Sequence, residues 1–132
     1  MPSRTLEARV RHHRPRIAVI ELHGEINGFA EAALNDAYAK ATDQQVETIL
    51  LNFADVDYIN SNGIALIVGL LAKARASHTR LLASGLSEHY IEIFTITRLA
   101  DFMTIFPDEA SAIQSDNASS AKESQDDGGD GR

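Results

Sequence analysis

Cysteine is absent from the 132 residues, so neither a disulfide framework nor thiolate chemistry is open to this chain. A reducing compartment agrees with that absence. Long apolar segments are missing too. The N-terminus, Met1-Pro2-Ser3-Arg4, runs into an alternating polar and apolar stretch without the form of a secretory signal. The longest apolar run extends from Ile64 to about Leu71, well short of the roughly 20 residues a membrane-spanning helix needs. The expectation is a soluble, cytoplasmic protein with no membrane insertion.

A basic body is also lacking. The formal net charge is −7, and residues 1–16 carry five arginines against Glu7 while 116–132 are net acidic. What lies between is more acidic than the whole. That argues against nucleic-acid binding, which needs a basic face on the folded body. There is no phosphate-cradling glycine loop, and Ser61 has no Gly-x-Ser-x-Gly elbow because position 59 is Ile. The histidines His12, His13, His23, His78 and His89 show no metal-ligand spacing beyond the adjacent pair, which reads as a surface turn. His23, beside Gly24, is placed to approach the turn at Ser61. No catalytic residue, metal or cofactor is expected, so the chain reads as a binding protein and not an enzyme.

What is present is a regular alternation of elements. Leu6, Ala8 and Val10 alternate with Glu7, Arg9 and Arg11, the period of a half-buried edge strand. His12-His13-Arg14-Pro15 predicts a turn, Ile17 to Leu22 the second strand of a hairpin, and Gly24 its end. Phe29, Ala33, Leu34, Ala37, Tyr38 and Ala41 fall at helical spacing after Asn27-Gly28. Thr48 to Phe53 reads as a central strand buried on both faces. A long helix follows over about 60–77. Its core stripe is expected from Ile64, Ile67, Val68 and Leu71, with Ala65, Gly69, Ala72 and Ala76 as a small-residue stripe against a sheet. Leu81 to Ser84 predicts a strand ending at Gly85, and Ser87 to Thr97 a helix capped by Ser87. Met103 to Phe106 reads as a last strand, and Pro107-Asp108-Glu109 opens a final helix through about Ile113.

This order predicts an α/β fold: a mixed sheet of four to five strands, mostly parallel with an antiparallel first strand, and helices packed on it. Residues 1–115 form one domain. The Ser-, Asp-, Gly- and Ala-rich residues 116–132 read as a disordered acidic tail.

The informative segment is Asp57-Tyr58-Ile59-Asn60-Ser61-Asn62-Gly63-Ile64, where the central strand hands over to the long helix. Such turns at the carboxyl edge of a sheet are where partners meet the fold. Asn60 caps the helix, so Ser61 falls in its first turn, where unpaired backbone N–H groups favour negative charge. Taken alone, Asn-Ser-Asn-Gly suits either a simple helix start or a modifiable hydroxyl.

The stretch from Ile49 to Leu66 resembles the signature of the STAS domain family (sulfate transporter and anti-sigma-factor antagonist). In that family a buried strand leads to Asp-Ser-Ser-Gly or Asp-Thr-Ser-Gly. Gly24-Glu25-Ile26-Asn27 is similar to its Gly-Glu-Leu-Asp turn. The resemblance spans roughly residues 5–115 and implies a STAS-like fold, with the phospho-accepting residue at Ser61. It further implies an anti-sigma-factor antagonist that works by partner switching in transcription and stress regulation. The partner would be an anti-sigma serine protein kinase, which itself holds the ATP, with a PP2C-type phosphatase as a further partner. The implied contact face comprises Glu25, Ile26, Asn27 and Gly28, then Tyr58, Ile59, Asn60, Ser61 and Asn62, and the helix start at Ser87, His89 and Tyr90. Asn27 and Asn60 stand where the family has Asp, and Asn62 replaces the second serine. These exchanges make the alternative more attractive, a constitutive interaction module (stress-signalling scaffold or transporter accessory subunit) that is not phosphorylated, but the retained Ser61 favours the switching regulator.

Overall fold

Two runs of aliphatic residues, Ile17 to Ile20 and Ile49 to Leu51, are buried throughout, as strands covered on both faces must be. The computed structural model describes residues 5–14 and 16–116. Its five strands are β1 (Glu7–Arg14), β2 (Ile17–Ile26), β3 (Thr48–Ile59), β4 (Arg80–Ser84) and β5 (Thr104–Phe106). They form one sheet in the order β1-β2-β3-β4-β5. β1 runs antiparallel to β2, with Val10 opposite Ile20. The other three pairings are parallel. The mixed sheet expected above is therefore present.

Helices α1 (Glu31–Ala41), α2 (Ser61–Ala76) and α3 (Glu88–Ile96) make the parallel crossovers, and a further helix, α4, covers 109–116. Alternation along the strands divides the core between two faces. Ala18, Ile20, Leu22, Ile49, Leu51 and Ala83 pack with Leu34 and Tyr38 of α1, Ile67 and Leu70 of α2, and Phe94 of α3. On the opposite face Val19, Leu50 and Leu82 lie in register across β2, β3 and β4 and meet Ala112 of α4. Polar contacts fasten both ends of α4. The Glu109 carboxylate accepts from Arg11 at 2.7 Å and from Asn52 at 3.1 Å. The Asp116 carboxylate pairs with Arg80 at 2.6 Å and accepts from Thr48 at 3.0 Å.

Several expectations need correction. His12, His13 and Arg14 continue β1 instead of turning, and the His12 Nε2 lies 3.2 Å from the Ala41 carbonyl at the end of α1. Gly24 does not end β2. It takes φ 111° beside a register shift, and the strand continues to Ile26. On α2 the buried stripe is Gly63, Ile67, Leu70, Leu71 and Ala74, and Val68 is exposed. The supposed small-residue stripe faces solvent: Ala65, Gly69, Ala72 and Ala76 are all exposed. Asp116, taken as the first tail residue, is a buried part of α4. The remainder of the expected tail, 117–132, lies outside the described residues, as does Pro15 of the expected turn.

Candidate partner interface

Because β2, β3 and β4 are parallel, the turns that follow them emerge on one edge of the sheet. After β2, Asn27 caps a short 3-10 turn, Gly28–Ala30, by accepting from the Phe29 backbone N–H at 2.9 Å. After β3, Asn60 caps α2 by accepting from the Gly63 N–H at 2.8 Å. Asparagine caps about as well as aspartate, so both turns keep their geometry without the charge.

The two turns are locked together. The Asn60 N–H donates to the Ile26 carbonyl at 3.1 Å. Gly63 lies so close to that carbonyl that a Cβ would fall on its oxygen, 2.7 Å from its carbon. Gly28 faces Asn62, with 3.5 Å from its ideal Cβ position to the Asn62 amide nitrogen. Ser61 is thus the exposed first residue of α2, held on a frame that the ends of β2 and β3 build jointly.

The third turn follows β4. Gly85 has φ 79°, and its missing side chain admits Ala54 of β3, whose nitrogen would lie 2.8 Å from a Cβ. Ser87 then caps α3, accepting from the Tyr90 N–H at 3.3 Å. His89 is exposed, and its ring meets that of Tyr90 edge-on at 4.8 Å.

The segments at this edge of the sheet carry exposed aromatic residues and carboxylates. Phe29 is 95% exposed and Tyr58 52%. Glu25 and Asp57 lie near the ends of β2 and β3, Glu31 opens α1, Glu88 and Glu92 lie on α3, and no lysine or arginine occurs within 24–31, 54–63 or 86–93. Large exposed aromatics beside a helix start suit a protein partner, and the charge suits one with a basic rim.

Of the expected contact residues, Glu25, Asn27, Gly28, Tyr58, Asn60, Ser61, Asn62, Ser87 and His89 reach or border this surface. Ile26, Ile59 and Tyr90 do not, because alternation along the strands and the pitch of α3 turn them into the core, where they are buried. His23 engages Asp55, at 3.0 Å from Nδ1, instead of the Ser61 turn. Phe29, expected at helical spacing with Leu34 and Tyr38, is instead 95% exposed. Its position just before α1, inside the turn that Asn27 caps, is the signal that sets it apart from the helix's core stripe.

A family profile described as STAS domain matches residues 8–112. The chain belongs to the STAS domain family. Among STAS relatives, the anti-sigma-B factor antagonist of Staphylococcus epidermidis is 27% identical over 86 residues, covering 65% of this chain and 80% of the relative. The solved structure of the anti-sigma factor antagonist SpoIIAA in its unphosphorylated form matches with a TM-score of 0.68 at 22% identity, covering 84% of this chain and 96% of that one. The Bacillus cell fate determinant SpoIIAA in its phosphorylated form matches at 0.63 and 24% identity, covering 81% and 96%. At these identities the structural likeness establishes the fold. By name these relatives are antagonists of anti-sigma factors, which is a regulatory and not an enzymatic role. Among the described residues no helix is long and apolar enough to cross a membrane.

Proposed function

We propose that this STAS domain is a cytoplasmic anti-sigma-factor antagonist that binds an anti-sigma serine kinase through the edge bearing Ser61. Phosphorylation of Ser61 ends that complex, and a PP2C-type phosphatase restores it. The observation that carries the reading is the exposed Ser61 at the first position of α2, on the same sheet edge as the exposed Phe29 and Tyr58. The free N–H groups of a helix start tolerate a phosphate locally. The same phosphate adds about −1.5 to −2 charge to a face already acidic, which repels a partner that binds close against it.

Incubation with the serine kinases of the same genome and ATP, followed by intact-mass measurement, tests the reading. One phosphate is expected on the wild type and none on Ser61→Ala. A second reading is favoured by Asn27 and Asn60, which replace the family's two aspartates with neutral caps. In that case the domain is a constitutive interaction module. It would bind its partner stably and gain no phosphate.

A further inference from the structure

We infer that Tyr90 is a positioning residue for the Ser61 turn and not part of the contact surface. Its kinetic consequence rests on the switching reading; its structural consequence does not. β3 outruns β4. The last β3–β4 pair is Asn52 with Ser84, whereas β3 stays paired with β2 as far as Ile59. The Asn60 N–H points to β2 and its Ile26 carbonyl. The N–H and C=O of Ile59 therefore point the other way, towards an edge that no strand covers.

Buried backbone groups need partners, and Ile59 is buried. The Tyr90 hydroxyl serves both groups: it accepts from the Ile59 N–H at 2.9 Å and donates to the Ile59 carbonyl at 3.4 Å. One phenol thus replaces the missing strand at the residue immediately before the Asn60 cap. Packing does not do this alone, because a cleft of about 110 Å³ opens at the same place between the β3 edge and the loop at Leu86. The ring itself is held by the start of α3, through the Ser87 cap on the Tyr90 N–H and the edge-on His89 ring. α3 therefore sets the position of Ile59, and Ile59 that of Asn60 and Ser61.

Tyr90→Phe keeps the ring and removes only the hydroxyl. Native-state amide exchange should show protection at Ile59 falling about tenfold or more, since a buried donor and acceptor lose their partner, while Ile20 in the central core is unchanged. With the kinase that phosphorylates the wild type, kcat should fall about tenfold at nearly constant KM, because the docking surface is intact and only the acceptor is misplaced. Unchanged protection at Ile59, or a loss spread evenly through the core, overturns the inference. So does a rise in KM at constant kcat. If no kinase phosphorylates the wild type, the switching reading fails, and the exchange measurement still decides the role of Tyr90.

Discussion

Replacing Gly63 by alanine sets a methyl group on the Ile26 carbonyl oxygen, 2.7 Å from its carbon and 3.0 Å from the Ile59 Cγ2. An ordinary nonbonded contact needs about 3.5 Å, so the first turn of α2 has to retreat by roughly 1 Å or more. That movement strains the Asn60 N–H bond to Ile26 and the Asn60 cap on Gly63, now 3.1 and 2.8 Å. Overpacking costs about 1–3 kcal/mol and a lost cap about 1 kcal/mol, a total of about 2–4 kcal/mol. The same substitution at Gly69, on the same helix, meets nothing within 4 Å. There the chain loses only glycine's excess unfolded-state entropy, and stability should rise by about 0.5–1 kcal/mol. At roughly 4 °C per kcal/mol, thermal melting should fall by roughly 8–16 °C for Gly63→Ala and rise by about 2–4 °C for Gly69→Ala. Equal shifts for the two variants would refute the close approach of α2 to the end of β2. So would retention of full partner affinity by Gly63→Ala.

Phe29→Ala should leave stability within about 0.5 kcal/mol, as expected for an exposed site, yet weaken partner binding about 30-fold if Phe29 is an anchor. Urea titration reads the first arm and calorimetric titration against the partner the second, and unchanged affinity removes Phe29 from the interface. Ending the chain after Ser115 deletes Asp116 and its contacts with Arg80 and Thr48. Because Arg80 is partly exposed, the loss should be about 1–3 kcal/mol by urea titration, below that of a fully buried pair; no loss would return the domain boundary to residue 115. Burial pushes the Glu109 carboxyl's pKa up, but its bonds from Arg11 and Asn52 outweigh this and hold it below the ordinary 4.5. Its stabilisation is therefore present above that value and lost as pH falls through the lower folded value. The gap in urea midpoint between wild type and Glu109→Gln, clear at neutral pH, should shrink in acid. A gap constant with pH would contradict this.

Much of the architecture is legible in local pattern. The alternation of Leu6, Ala8 and Val10, the caps at Asn60 and Ser87, and the stop at Gly85 all depend on neighbours in sequence, and all recur in the structure. Features that depend on distant partners were hidden. The face of α2 could not be read because Ile64 to Ala72 is apolar all round, so periodicity selects no side. The extension of β3 through Ala54-Asp55-Val56-Asp57 looks like a polar loop, and it is a strand only because β2 runs alongside it. Asp116 resembles the acidic residues after it, and only Arg80 and Thr48, far back in the chain, make it part of the domain. At the candidate site, the Asn60 cap and the place of Ser61 in the first turn of α2 were readable from the Asn-Ser-Asn-Gly turn. The burial of Ile26, Ile59 and Tyr90 beneath that turn required the strand register and the placement of α3.

The most direct test of partner switching compares unmodified chain with chain carrying one phosphate on Ser61, each titrated against the kinase that attached it. Like charge brought into an acidic interface costs several kcal/mol. Affinity should therefore fall by about 100-fold or more on phosphorylation, with the domain's melting temperature nearly unchanged. Equal affinity of the two forms would contradict the account and leave the domain a constitutive binding module.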